Sequence, residues 1–409
     1  MEVEMIKPPA VTGNRIQVTV DELRLKNFRA FENARLRFSD LTFLVGRNGA
    51  GKSSILDAVD LLREALAGSL ETALDRRGGV AKVRRMTPGS ETETALGLAI
   101  VMRLTFAAGK SLTALYGFEL IGAPNGMGSH IRECLKLAPS ATGSFNREDD
   151  LFEADYNKGV SPPPGNLVLP LAGRADELWS AVLDTIRNLR AYELSPAHMA
   201  VAPEIGERTV LARDGSNLGD VLKSLEGLPD RHWIATRLGA VTDGIVDVGT
   251  AALLGRRVLR FVQRSAGANV DLDANQVSQG TLRALGFLVA LRQYPAPSLL
   301  LVDEIENSVH PGALSVLVDA ALSSSDRMRV VLTSHSPELL SHPAVTGERV
   351  RVIQWRDGAS KVYCLNRETQ AAVNEIDTVG WMLSSNALWT RPEPETFAGD
   401  LLALDDHTS

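Results

Sequence analysis

The sequence predicts an α/β fold whose parallel sheet is covered by helices on both faces. Three observations carry this. Short continuous apolar runs recur at Leu41–Val45, Leu299–Val302 and Val330–Leu332, the mark of strands buried on both sides. Segments with helical apolar spacing follow them, such as Ile55, Leu56, Val59, Leu62 and Leu66. Between the first such strand and helix lies a glycine-rich turn.

The elements follow in order. Residues 1–15, with Pro8, Pro9 and Gly13, read as a flexible tail. Alternation predicts strands at Gln17–Lys26 and Ala34–Phe38, then the apolar strand Leu41–Val45 and a helix over Ser53–Leu70. Ala95–Phe106 and Ser111–Ile121 read as a hairpin. From Gly122 to Asn166 the composition predicts a few strands and long loops, including a triple proline at Pro162–Pro164. Helical spacing over Asp176–Arg190, Leu218–Leu225 and Asp230–Val241 predicts an inserted, mostly helical region at 173–244. It divides an N-terminal part, 16–172, from a C-terminal part, 245–390. Strands at Ile245–Gly249, Arg257–Arg264 and Asn269–Leu272 precede a helix over Thr281–Gln293 and the strand Leu299–Val302. Helix Gly312–Ser323, strand Arg329–Thr333, helix Pro337–Leu340 and a hairpin over Val350–Leu365 complete the order. Residues 391–409 are acidic and contain proline, which predicts a second flexible tail.

Composition bounds the function. The 409 residues are 44% hydrophobic and 23% charged, ordinary for a folded protein. Lys and Arg number 43 against 50 Asp and Glu, a formal charge of −7, which argues against broad electrostatic coating of nucleic acid. Two cysteines, Cys134 and Cys364, cannot build a disulfide framework and fit a reducing compartment. The apolar runs fall short of the roughly 18–20 residues that span a bilayer. A cytoplasmic protein without membrane attachment is the expectation.

The glycine-rich turn carries chemistry. Gly46-Arg47-Asn48-Gly49-Ala50-Gly51-Lys52-Ser53 fits G-x-x-x-x-G-K-[ST], placed after a strand and opening a helix. Its glycines turn backbone N–H groups toward phosphates, and the helix start adds positive charge. Asn48, Gly49, Ala50, Gly51, Lys52, Ser53 and Ser54 are the candidate phosphate-binding residues. Lys52 would reach the β- and γ-phosphates of ATP, and Ser53 would ligate Mg²⁺. Leu299–Val302 ends in Asp303 and Glu304, which brings two acids to the edge where ligands of such sheets collect. Asp303 would hold Mg²⁺, and Glu304 would act as general base toward the attacking water. His335, at the end of the next apolar strand, would face the γ-phosphate or that water. Ser278-Gln279-Gly280, read locally, is a turn and N-cap before a helix.

Four runs, in this order, resemble the ABC-type ATPases of the RecF, SMC and OLD group. Leu25-Lys26-Asn27-Phe28-Arg29 resembles the group's opening motif ahead of the phosphate loop. Val277-Ser278-Gln279-Gly280-Thr281 is similar to the ABC signature. Asp303 through Pro311 resembles an E-P-E-x-x-x-H-P run, and Thr333 through Pro337 resembles the switch-histidine motif. The resemblance covers residues 16–365 and implies an ABC-ATPase core, a mixed sheet flanked by helices. It implies a homodimer stacked head to tail, in which Ser278, Gln279 and Gly280 of one copy cap the ATP of the other. It also implies that Arg29 contacts nucleotide. One departure stands out: no glutamine lies between Lys52 and Val262, where this group keeps a metal-ligating glutamine.

The resulting expectation is an ATP-hydrolysing switch in DNA maintenance or anti-phage defence, with an effector partner such as a nuclease or toxin encoded nearby. Arg76, Arg77, Lys82, Arg84 and Arg85 form a basic cluster that could touch DNA phosphates. Two alternatives are a transporter's nucleotide-binding subunit and a slowly hydrolysing regulatory scaffold. The long separation of Lys52 from Ser278 argues against the transporter.

Overall fold

A computed structural model describes residues 16–86, 95–107, 109–122, 130–139, 144–148, 151–154, 165–173, 176–375, 377–397 and 399–404. The expected N-terminal tail, the triple proline and residues 405–409 lie outside the described residues.

Among the described residues, thirteen strands form one mixed sheet. Its antiparallel half runs Leu151–Ala154, Phe145–Glu148, His130–Ala138, Ser111–Ile121, Leu96–Thr105, Gln17–Phe28 and Phe31–Arg37. The other half continues with Ala359–Cys364, Val350–Arg356, Leu41–Val45, Arg329–Ser334, Leu299–Val302 and Leu189–Tyr192. The last five of these strands are mutually parallel. Crossover helices connect them, which covers both faces.

Side-chain alternation divides the sheet's contacts between two cores. Leu299 and Leu301 join the core under helices Lys52–Ala67 and Glu177–Arg187. Leu300 and Val302 join the core under helices Gln279–Arg292 and Pro311–Leu322. Region 173–244 holds the helices Glu177–Arg187, Pro196–Ala200, Leu218–Ser224 and Pro229–Val241 along with the strand Leu189–Tyr192, and it packs into the sheet's cores. Leu218, Val221, Leu222, Ile234 and Leu238 belong to the second core. The helix expected over Asp176–Arg190 ends at Arg187, and Leu189–Tyr192 becomes the sheet's edge strand, paired with Leu299–Val302. Leu189 stands three residues beyond Ile186, so it continues the helical spacing although the backbone has left the helix at Asn188. The strands Ile245–Leu253, Arg256–Ser265 and Ala268–Asp273 form a separate antiparallel sheet. Its two turns, Leu254-Gly255 and Ala266-Gly267, take positive φ throughout, the geometry that tight hairpins favour.

The C-terminal segment corrects an expectation. Residues 391–397 and 399–404 are placed, and they do not form a flexible tail. Phe397, Leu401 and Leu402 are buried against Ala99, Val101, Leu115 and Cys134. The strands from which these four come are apolar on both faces, so the second face of the antiparallel half needs a cover. Three apolar side chains among acidic neighbours supply it. A Cβ on Gly97 would stand 2.4 Å from Leu401 Cδ2, which shows how closely the segment lies on the sheet. Leu401→Ala and Leu402→Ala are each expected to cost about 2–4 kcal/mol of stability, read as a lower urea midpoint. An unchanged midpoint would mean the segment does not cover the sheet in solution.

Candidate functional site

The phosphate loop begins where the buried strand Leu41–Val45 ends. Gly46 has no room for a side chain: a Cβ there would stand 2.6 Å from the Ile353 carbonyl oxygen. Gly49 and Gly51 take φ of 78° and 109°, open to glycine at little cost. Lys52, nearly buried, starts the 16-residue helix and donates from Nζ to the Gly46 carbonyl at 2.7 Å. The ammonium is thus held across the loop. No side chain caps the helix start at Gly51, so its N–H groups and dipole face an incoming anion. Asn48, Gly49 and Ala50 form the loop's turn, and Ser53 and Ser54 follow Lys52 in the helix.

The acids arrive from the neighbouring strands. Leu299–Val302 pairs in parallel with Arg329–Ser334, which pairs in parallel with Leu41–Val45. All three therefore end at one edge. Ser53 Oγ lies 3.4 Å from Asp303 Oδ2. Two adjacent ligands of an octahedral Mg²⁺ stand about 3 Å apart, so this pair of hard oxygens fits that ion. The Thr333 hydroxyl donates to Asp303 Oδ1 and accepts from the Glu304 N–H at 3.0 Å. Glu304 takes φ of 45°, an uncommon conformation for a non-glycine residue. Its Oε2 accepts from Asn307 Nδ2 at 2.8 Å, and its Oε1 lies 3.4 Å from His335 Nδ1. The structure thus gathers Lys52, Ser53, Asp303, Glu304 and His335 at one place.

Sequence reasoning assigned no role to several neighbours. Thr333 orients both acids. Glu306, nearly buried, accepts from Ser334 Oγ at 2.8 Å and from the His335 N–H at 3.1 Å, which fixes the histidine's backbone. Arg283, from the helix Gln279–Arg292, lines a cavity of about 750 Å³ with Glu193, His198, Asp303, Glu304 and Asn307. Burial lowers its pKa, and the negative charges of Glu306, Glu304 and Asp303 act against that shift. Glu193 follows the edge strand and stands beside the acids, where its charge adds to the rise of the Asp303 carboxyl. The Asp303 N–H donates to the Tyr192 carbonyl at 2.9 Å, which ties the two strand ends together. Edge-strand pairing was the missing signal, since it places Glu193 next to Asp303 only in three dimensions.

Ser278, Gln279 and Gly280 form a different surface. Ser278 Oγ accepts from the Thr281 N–H at 3.0 Å, the cap that local sequence predicts. A Cβ on Gly280 would stand 2.2 Å from the Ser308 carbonyl oxygen. A cavity of about 480 Å³ opens here between Thr242, Ser278, Gly280, Ser308 and His310. Arg29 pairs with Asp57, on the helix that follows the phosphate loop, at 2.8 Å.

The basic cluster is a correction. Arg77 is 8% exposed and pairs with Asp57 and Glu64. Arg84 is buried and donates to the Gly122 carbonyl at 3.1 Å, and Arg85 donates to the Gly358 carbonyl at 2.8 Å. Arg76 and Lys82 alone of the five are exposed. The cluster therefore serves internal contacts rather than a DNA-facing patch. The acidic partners of Arg77 come from another helix, out of sight of local charge counting.

Burial raises the Asp303 carboxyl above its ordinary value; the Thr333 bond opposes this and Glu304 adds to it. The ionised form is thus disfavoured in the fold, and stability is lost as pH rises through that group's titration. Asp303→Asn is expected to raise the thermal midpoint at pH 7, with the gain fading in acid. A lower midpoint at pH 7 would contradict this electrostatic account.

Comparisons with known proteins agree with the geometry. Residues 162–341 match a family model described as "AAA domain, putative AbiEii toxin, Type IV TA system", and residues 19–90 match one described as "AAA ATPase domain". The DNA repair protein RAD50 of Arabidopsis thaliana is 33% identical over 106 residues, 25% of this chain and 8% of that protein. The "Retron Ec83 probable ATPase" of Escherichia coli is 38% identical over 69 residues, 16% of this chain and 13% of that protein. The matched stretches are thus a small part of either relative. Two solved SMC heads share the fold. One, bound to the C-terminal winged-helix domain of ScpA, has a TM-score of 0.52 at 15% identity, covering 86% of this chain and 99% of that one. The other has an extended coiled coil, is bound to the C-terminal domain of ScpA derived from Pyrococcus furiosus, and has a TM-score of 0.55 at 12% identity. It covers 88% of this chain and 99% of that one. Residues 19–90 and 162–341 are thus similar to AAA ATPase family models, and the chain shares its fold with SMC heads.

Proposed function

We propose that the protein binds Mg²⁺ and ATP at residues 46–54 and hydrolyses the ATP, acting as a switch that dimerises around the nucleotide. The observation that carries this is the meeting of Ser53 with Asp303 beside a Glu304 flanked by Asn307 and His335. Lys52 and the helix start hold the phosphates. Mg²⁺ at Ser53 and Asp303 would offset charge on the β- and γ-phosphate oxygens. Glu304 receives a proton from the water that attacks the γ-phosphorus, and the bond to the β–γ bridging oxygen breaks. Asn307 fixes the Glu304 carboxylate, Thr333 fixes that of Asp303, and His335 stands where it can meet the γ-phosphate.

The dimer reading is supported by the second surface. Ser278 and Gly280 line a cavity of their own with Ser308 and His310, and Ser278 and Gln279 are exposed. Two copies stacked head to tail would bring this surface of one copy onto the phosphate loop of the other. ATP then joins the copies, and hydrolysis releases them. Likeness to a retron ATPase and to a toxin–antitoxin family model favours anti-phage defence with a nuclease or toxin as effector. Likeness to RAD50 favours DNA maintenance.

Glu304→Gln is expected to slow phosphate release by about 10²–10⁴-fold while ATP still binds, the range for loss of a general base. Equal rates in variant and wild type would remove Glu304 from that role. Ser278→Arg is expected to abolish ATP-dependent dimers in light scattering while each copy still binds ATP. Dimers that persist in this variant would argue against the head-to-tail arrangement.

A further inference from the structure

Sheet order constrains where the rest of a bound nucleotide can go. The acid strand lies on one side of the phosphate-loop strand, across Arg329–Ser334. The hairpin of Val350–Arg356 and Ala359–Cys364 lies on the other side. A triphosphate held between Lys52 and Asp303 has its γ end at the acids, so its nucleoside end leaves toward the hairpin. Val350–Arg356 runs parallel to Leu41–Val45 and ends at the same edge of the sheet.

One face of this hairpin packs on the phosphate loop. Ile353 Cβ lies 3.4 Å from where a Cβ on Gly46 would stand, and Ser360 Oγ lies 2.7 Å from where one on Gly51 would stand. Trp355 pairs directly with Ser360 and stands two residues beyond Ile353, so its side chain belongs to that same face. Beyond the loop contact the face runs into solvent, and Trp355 is 57% exposed. The platform is firm. The turn at Asp357-Gly358 takes positive φ at both residues, Lys361 pairs with Asp357, and Arg85 donates to the Gly358 carbonyl. Ser360 Oγ is buried and has no hydrogen-bond partner, a polar atom held against the loop's last glycine.

We infer that Trp355 is the stacking platform for the base of the bound nucleoside triphosphate. The inference rests on the nucleotide-binding reading above and adds the base subsite to it. A flat indole beside the phosphate loop offers a base its π face with few side-chain rotations to lose. Such stacking tolerates any base, so Trp355 sets affinity for nucleosides over bare phosphate chains rather than choice among bases.

Calorimetric titration of the full chain with ATP and with inorganic tripolyphosphate, both with Mg²⁺, tests this. Trp355→Ala is expected to weaken ATP about 5- to 100-fold and to leave tripolyphosphate affinity unchanged, and Trp355→Phe to restore most of the loss. Unchanged ATP affinity in Trp355→Ala, or an equal loss for both ligands, overturns the inference. Lys52→Ala separates the two readings. It is expected to lose both ligands, and binding of both that survives in it would instead sink the phosphate-loop reading.

Discussion

Val45, Ser334 and Val302 close three neighbouring parallel strands, and each functional group in the acid half of the site hangs from one of those ends. The strands are buried on both faces, so neither side can slide without carrying apolar surface into water. That fixes the relative positions of loop, acids and histidine before any polar contact forms. The polar contacts then refine aim rather than create it. Thr333 shows this best: from the middle strand it reaches the carboxylate of Asp303 and the backbone of Glu304 together.

The turn after the acids carries the remaining constraint. Glu304 and Ser308 both take positive φ, at a cost of about 1–3 kcal/mol each for non-glycine residues. Such a turn persists only when its surroundings over-determine it. Asn307 holds Glu304 from within the turn, Glu306 is bound by Ser334, and Gly280 packs against the Ser308 carbonyl. The same few residues therefore aim a carboxylate at one end and support the start of the helix Gln279–Arg292 at the other. Gly280 is glycine because the turn comes too close for a Cβ.

Much of this was legible in the sequence. The strands Leu41–Val45, Ser111–Ile121 and Leu299–Val302 were bounded by their apolar runs or alternation, because a strand's burial is written in its own residues. The loop and its two acids were legible because glycine, lysine and carboxylate at fixed spacing have few other uses. What stayed hidden depends on partners distant in the chain. Leu189–Tyr192 is a strand only because Leu299–Val302 lies beside it. Phe397, Leu401 and Leu402 are core only because strands near residues 99 and 115 lack a cover. Arg77 looked solvated because Asp57 and Glu64 are neighbours in space, not in sequence. Thr333 and Glu306 sat inside recognisable runs, yet only geometry says which atoms they hold.

The interleaving of the sheet has a consequence for how the chain is made. The phosphate-loop strand, near the start of the described chain, is flanked by Arg329–Ser334 and Val350–Arg356. On the ribosome it emerges long before either neighbour exists. The antiparallel half can pair early through Gln17–Phe28 and Leu96–Thr105, but one of its faces waits for residues 397–402. Contacts this distant slow folding, and the wait leaves apolar strands bare. Until Phe397, Leu401 and Leu402 have been synthesised that face stays bare, a window in which a chaperone has most to offer.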